Sequence, residues 1–471
     1  MNSETSNAPR RVMGFRDLLL FYVVTGISLR WIATAATLGA SAIVIWLIAW
    51  AIFYIPLAFT VMELSSRYPE EGGLYTWTKH AFGEFSGFTT GWTYWSSNLP
   101  YFPAILYFAA GSALYIRPDR WLHLADNKAY FLIFSLMGLA LATVLNILGL
   151  QVGKWLHNLG ALGTWLPVAI LYAIGLTAWM KFGSATAFTF HSIRPSAHLR
   201  DVLFWSAIVF ALCGSESASF MGDEVKNPRR NIPRALLIAG LIITSAYILG
   251  TVCVLVALPQ NQVSGLDGFM QAIAASAGRV GWIGIGPLAA ILITVSNIGT
   301  VGAWLAVTAR IPFVAGMDRY IPAVFGRLHP RWGTPYMAIL MQAGLSVVFI
   351  FLSQAGTSVG GSYNVLISMC IISSFIPYLF TFASLIRLQR IPVGPDVHRI
   401  PGGTRVAKVL GTTGFTTTLL AIIASVIPDP NEPHKWFAVF KIVGLTAVLL
   451  SVGQMLFTLG KAAAAAPATE E

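Results

Sequence analysis

The sequence predicts an all-α polytopic membrane protein with about twelve transmembrane helices. Composition carries the first part of that prediction: of 471 residues, 56% are hydrophobic and only 10% charged, which leaves too little polar surface to cover soluble domains in water. Spacing carries the second. Apolar stretches of about 20 residues, the length a helix needs to cross about 30 Å of hydrocarbon, recur along the whole chain. The third is the distribution of the +11 net charge. In a soluble protein it would suggest nucleic acid. Here most of the Lys and Arg fall in alternate connectors, the bias that orients membrane helices, and no nucleic-acid partner is expected.

The stretches lie near 18–38, 42–64, 85–115, 129–149, 157–179, 202–222, 235–258, 281–309, 336–354, 361–386, 409–427 and 436–459. The first fifteen residues are mostly polar, and the first apolar run passes into the second through Gly39, Ala40 and Ser41, so no cleavable signal is expected. With the N-terminus cytoplasmic, Arg10, Arg11, Arg16, Arg67, Lys226, Arg229, Arg230 and Arg234 fall inside, together with Arg387, Arg390 and Lys461. Arg117, Arg120, Lys128, Lys181, Arg194, Arg200, Arg279, Lys435 and Lys441 fall outside or near an outer helix end. Both termini are therefore expected in the cytoplasm, with the protein multi-pass in the plasma (inner) membrane. The last residues, AAAAAPATEE, read as a frayed end. Cys213, Cys253 and Cys370 each lie in an apolar stretch and read as small buried residues, with no disulfide framework.

Two helices depart from a simple span. The first carries Thr25, Gly26, Ser28, Arg30 and Trp31 near its middle; the sixth reads FALCGSESASFMGDE from Phe210, which puts Gly214, Ser215 and Glu216 at about mid-depth. A charge there is costly unless it faces a cavity or a partner. Weak, polar centres five helices apart are the signature of folds built from inverted repeats, where interrupted helices leave backbone groups free at a central site. Elsewhere the chain signals turns and packing. Glu70, Glu71, Gly72 and Gly73 form a turn before an amphipathic stretch; Gly83, Gly87 and Gly91 repeat every four residues, a spacing for close helix approach; Val225–Arg234 holds two prolines and four cations and reads as a hinge-like connector.

Three runs carry a resemblance. EGGLYTWTKHAFGEFSGFTTGWTYWSSN (71–98), FALCGSE from Phe210 leading into DEVKNPRRNIPRA (223–235), and TARIPFVAGMDRYIPAVFGRLHPRWGTP (308–335) resemble the signature blocks of the amino acid/polyamine/organocation transporter superfamily. The resemblance spans nearly the whole chain. It implies a five-plus-five inverted repeat with broken helices 1 and 6, two extra C-terminal helices, and alternating access around a central site. The corresponding units are an N-terminal tail (1–17), a ten-helix core (18–390, with repeats at 18–180 and 200–390), two further helices (391–460) and a tail (461–471).

Many relatives carry a glycine-rich run at the break of helix 1, whose amides receive a carboxylate. Here Arg30, Trp31 and Ile32 stand at the aligned positions, and with NLPYFPAILYF from Asn98 and GTWLPVAIL from Gly163 they resemble the glutamate/GABA antiporter branch. Arg30 could hold a carboxylate directly, pair with Glu216, or snorkel to an interface. Glu216 reads as a gate or proton-responsive group, or as a structural partner of helix 1. The resemblance puts Phe210 and Trp304 at substrate-stacking positions. Tyr94 and Asn98, four apart on helix 3, read as polar wall groups, with Cys213 beside the sixth-helix break. Thr164 stands where some relatives place a lysine, and no lysine lies between Lys154 and Lys181, which disfavours proton symport through that position.

The function expected is transport of neutral or acidic amino acids by exchange. A proton-coupled amino acid or polyamine uptake permease is the alternative, and a channel or sensor the reading from another class. No catalytic constellation, metal site or cofactor motif stands in the helices, and GIGPLA (284–289) matches a dinucleotide fingerprint only superficially. Oligomeric state is not legible.

Overall fold

The computed structural model describes residues 14–68, 72–148, 150–196, 199–217, 225–309, 317, 320–392, 394, 397–428 and 434–465. Glu70 and Glu71, residues 218–224, and 310–316 with 318–319 of the third signature block lie outside the described residues, as do 1–13 and 466–471.

Among the described residues ten helices are long and apolar enough to cross a membrane: Gly39–Arg67, Glu84–Ile116, Lys128–Ile147, Gly163–Phe182, Arg230–Ala257, Ile285–Thr308, Tyr336–Gln354, Val359–Leu388, Gly403–Val426 and Lys435–Ala463. We number them as spans 2 to 5 and 7 to 12, because the two expected spans absent from this set are the first and the sixth. Both are interrupted. Span 1 runs as two half-helices, Phe15–Gly26 and Leu29–Ala36, with extended backbone at Ile27 and Ser28. Span 6 is helical over Leu199–Ala211 and then leaves the helix, with Gly214 at φ +108°, a conformation that favours glycine. The interruption thus recurs five helices on, as a chain of two five-helix repeats requires.

Burial separates the centre from the rim. Spans 3 and 10 have 89% and 83% of their apolar windows buried, against 22% for span 12, so the first two form the inner wall and the last faces lipid. Close approach is set by small residues. A methyl group on Gly414 of span 11 would lie 2.3 Å from the Phe382 ring of span 10, and one on Gly453 of span 12 equally close to Trp92 of span 3. The indole of Trp92 also donates to the Leu449 carbonyl at 2.8 Å, which fixes span 12 on the bundle.

The glycine series divides. Gly87 and Gly91 pack against Lys79 and Met317, as the four-residue spacing predicts, but Gly83 has open space around its Cα and φ +92°. It makes the turn between the short helix Leu74–Phe82 and span 3. Gly72 and Gly73, at φ +106° and +44°, turn the chain into that short helix as expected. The connector expected at 225–234 is shorter. A helix begins already at Pro228, because proline at the first helical position loses no bond, and Pro233 falls in its second turn, where one lost bond is tolerated. The helix of span 12 likewise continues to Ala465 rather than fraying at Lys461.

Lys441, read as lying outside or near a helix end, sits near the start of its helix with its ammonium inside the protein. It is buried on span 12 and donates its ammonium to the Ser353 carbonyl at 2.9 Å, in the last turn of span 9, with the Phe437 ring 4.9 Å away. Helix C-termini carry unpaired carbonyls and partial negative charge, which explains why a cation is held there instead of facing water. Lys441→Met should destabilise the fold by about 1.5–3 kcal/mol, the worth of a charged hydrogen bond, without changing substrate preference. Thermal melting in detergent, beside transport assays, checks both halves.

Candidate functional site

The site is built where the two interruptions face spans 3, 7 and 10. At the first break, Gly26 leaves a carbonyl and Ser28 an amide without helical partners. Both are taken by one side chain: the Tyr247 hydroxyl of span 7 donates to the Gly26 carbonyl at 2.8 Å and accepts from the Ser28 amide at 3.1 Å. Tyr247 is itself fixed, since its ring stacks on Trp46 at 4.5 Å with planes 3° apart, and the Trp46 indole donates to Thr251 at 3.2 Å. Backbone groups that the sequence suggested were free for a ligand are therefore occupied by the protein.

Arg30 follows directly. It is 1% exposed, and among the described residues none of its three guanidinium nitrogens has a hydrogen-bond partner. Instead the guanidinium lies between two rings, 4.5 Å from the centroid of Trp31 and 4.3 Å from that of Tyr101 on span 3. Such contacts stabilise a desolvated cation by about 2 kcal/mol, well short of the cost of burying it. The expected alternative of an Arg30–Glu216 ion pair is not what forms. Among the described residues the ion pair present is Arg67–Glu63 at 3.1 Å, on the end of span 2.

Glu216 is committed elsewhere. One carboxylate oxygen accepts from the Tyr94 hydroxyl of span 3 at 3.2 Å and the other from the Gly214 amide at 3.1 Å, an amide that also lies 3.4 Å from the Tyr378 hydroxyl of span 10. The carboxylate thus satisfies the open end of span 6 and ties it to span 3. Ser215 is buried beside it, its hydroxyl without a hydrogen-bond partner among the described residues, and the Cys213 amide closes a turn on the Phe210 carbonyl at 3.0 Å.

The aromatic residues form one continuous wall. Phe210 meets Trp31 edge-on at 5.4 Å and Phe375 of span 10 at 5.7 Å, while Trp304 of span 8 meets Tyr101 at 6.3 Å. Phe210 and Trp304 therefore reach the two sides of the Arg30 environment through Trp31 and Tyr101. Two expected residues are not brought in. Thr25 is exposed and bonds back to the Phe21 carbonyl at 2.8 Å, and the Asn98 amide is taken by the Tyr94 and Trp95 carbonyls of its own helix. Thr164 bonds Ser296 of span 8 at 2.9 Å, where Gly163 lets spans 5 and 8 approach.

Sequence reasoning missed Tyr101, Tyr247 and Tyr378. Tyr101 was within reach, since Tyr94, Asn98 and Tyr101 follow i, i+4, i+7 on one helix face. Nothing in the sequence distinguishes Tyr247 or Tyr378 from a packing aromatic. Glu63 was also passed over; it accepts from Gln389 and from the Ile400 amide as well as from Arg67, which clasps span 2 to the end of span 10.

Comparison with known proteins settles what kind of protein this is. The family model described as amino acid permease matches residues 14–450. The chain belongs to the amino acid permease family. The permease is 30% identical over 455 residues to an uncharacterized transporter of Legionella pneumophila, covering 95% of this chain and 96% of that one. It is 25% identical over 398 residues to a probable agmatine/putrescine antiporter of Lactococcus lactis, 84% of each chain. It is 26% identical over 434 residues to a glutamate/serine transporter of Bacillus subtilis, 88% of this chain and 78% of that one. The permease is thus a multi-pass membrane transporter for small molecules and not an enzyme. Its interrupted spans 1 and 6 meet as the sequence resemblance implied.

Proposed function

We propose that this permease exchanges neutral or acidic amino acids across the plasma membrane by alternating access, with the substrate carboxylate received by Arg30. The observation that carries this reading is the guanidinium: buried, flanked by two aromatic faces and without an acceptor among the described residues. A substrate carboxylate supplies the missing counter-charge through a charge-assisted, bidentate-capable contact. The same charge opposes diamines and cationic amino acids, a discrimination on the order of 1–3 kcal/mol at low dielectric.

Exchange is favoured by the same feature. Moving empty through the occluded state would bury an uncompensated cation, which costs several kcal/mol, whereas a loaded carrier crosses with the charge neutralised. Return without counter-substrate should therefore be slow. In this reading Trp31 and Phe210 on one side, with Tyr101 and Trp304 on the other, cover a substrate lying against Arg30. Glu216 holds the open end of span 6 and acts in this reading as the gate. The ten-helix core (18–390) is the transporting unit, both termini are cytoplasmic, and the last two helices pack on its rim.

Counterflow in proteoliposomes tests the proposal. Labelled glutamate or serine should accumulate only in vesicles preloaded with an unlabelled carboxylate-bearing amino acid, and putrescine or agmatine should not substitute. Phe210→Ala and Trp304→Ala should each raise the apparent KM or slow exchange while leaving the protein folded. Exchange of diamines, as in the relative named an agmatine/putrescine antiporter, or flux independent of counter-substrate, would overturn the proposal.

A further inference from the structure

A cleft far from the helix breaks is unused by the transport chemistry. It has a volume of about 660 Å³ and is lined by Phe15, Asn227, Arg230, Asn231, Arg234, Leu237 and Ile238. Its walls come from two elements, the first residue of the half-helix Phe15–Gly26 and the opening turns of the helix Pro228–Ala257. Arg230 and Arg234 lie four residues apart, hence on one face of that helix, and both are exposed. Among the described residues neither guanidinium has a hydrogen-bond or ion-pair partner, and no carboxylate lines the cleft.

We propose that this cleft binds one anionic phospholipid, its phosphate held between Arg230 and Arg234 and its acyl chain laid against Phe15, Leu237 and Ile238. The order of groups along the helix carries the choice of occupant. Beyond Arg234 this helix continues to Ala257 without a charged residue, so the two guanidinium groups mark its polar end, where the membrane boundary falls. At the helical rise Leu237 and Ile238 lie about 10–12 Å beyond Arg230 and about 4.5–6 Å beyond Arg234, on the apolar side of both cations. A phospholipid has the same order, anionic head above apolar tail. A soluble phosphate would meet the cations but gain nothing from the apolar wall. Basic pockets between membrane helices recognise anionic headgroups, and the positive end of this 30-residue helix adds to the attraction.

Placement gives the site a consequence. The half-helix Phe15–Gly26 is held at its inner end by Tyr247 through Gly26. A lipid bridging Phe15 to the same helix would hold the other end too.

Native mass spectrometry of the intact protein, released from micelles containing equal phosphatidylglycerol and phosphatidylcholine, tests this directly. We expect one phosphatidylglycerol retained with a preference on the order of tenfold, since each cation near an anionic headgroup contributes modestly. Thermal melting should rise with phosphatidylglycerol and not with phosphatidylcholine, and both effects should disappear in the Arg230→Gln, Arg234→Gln double variant. Three results would overturn the proposal. Wild-type protein showing no preference between the two lipids does so without any variant. So does a double variant that keeps the bound lipid, and so does inorganic phosphate producing the same thermal shift, which would make the site one for a soluble anion.

Discussion

Arg30→Met should lower the apparent affinity for carboxylate-bearing substrates by about 30- to 1,000-fold, corresponding to about 2–4 kcal/mol for a desolvated charge contact, and should do so without loss of melting temperature. The two halves of that result come from one geometry. Arg30 is 1% exposed and among the described residues makes no hydrogen bond or ion pair, so its removal strands none of their polar groups, while methionine preserves the apolar stem between Trp31 and Tyr101. A buried cation without a partner is a liability in the empty protein, and melting should hold or rise. Glu216→Gln supplies the control. Because Glu216 is bonded to Tyr94 and Gly214 instead of Arg30, the stability effects of the two substitutions should add within about 0.5 kcal/mol. A double variant markedly more stable than Arg30→Met alone would show that the two charges neutralise each other, and the direct-ligand role would fall.

Tyr247→Phe is the second large effect, expected to cost about 2–4 kcal/mol and to slow exchange for every substrate alike. The hydroxyl serves two backbone groups at once, the Gly26 carbonyl and the Ser28 amide, and each loses a buried partner worth about 1–3 kcal/mol when it goes. Phenylalanine keeps the stack on Trp46, so packing is controlled. Tyr54→Phe is a comparison of the same chemistry, a buried hydroxyl that joins span 2 to span 7. Its hydroxyl donates to the Leu236 carbonyl at 2.7 Å, away from the break, and its loss should cost about 1 kcal/mol with exchange kinetics intact. Thermal melting and counterflow rates of the two variants, measured side by side, decide whether the Tyr247 bond positions the break or merely adds stability. Equal slowing in both would mean the latter.

How far the site was legible follows from the kind of signal each residue left. Arg30 and Glu216 were visible because ionisable residues within apolar helices are rare and costly, and Gly214 because a glycine beside them marks a place where the helix can open. Phe210 and Trp304 came from the family motif alone. Thr25 and Asn98 were misassigned for a shared reason: hydroxyl and amide side chains in helices bond readily to carbonyls three or four residues back, and that local choice does not show in the sequence. The acceptor of Lys441 was not legible because an apolar helix with a cation near its end looks the same whether the ammonium faces water or another helix's last carbonyl.

The sequence by itself determined the solvent, the number of spans, the positions of both interruptions and the family, since each depends on composition, length or motif along a single strand of text. Tertiary structure decided the pairing of the charges. Whether Arg30 meets Glu216 depends on where spans 3, 7 and 10 place Tyr94, Tyr101, Tyr247 and Tyr378, and those placements arise from packing between segments far apart in the chain. The aromatic and phenolic groups took over the break and the carboxylate, and among the described residues the guanidinium was left without an acceptor.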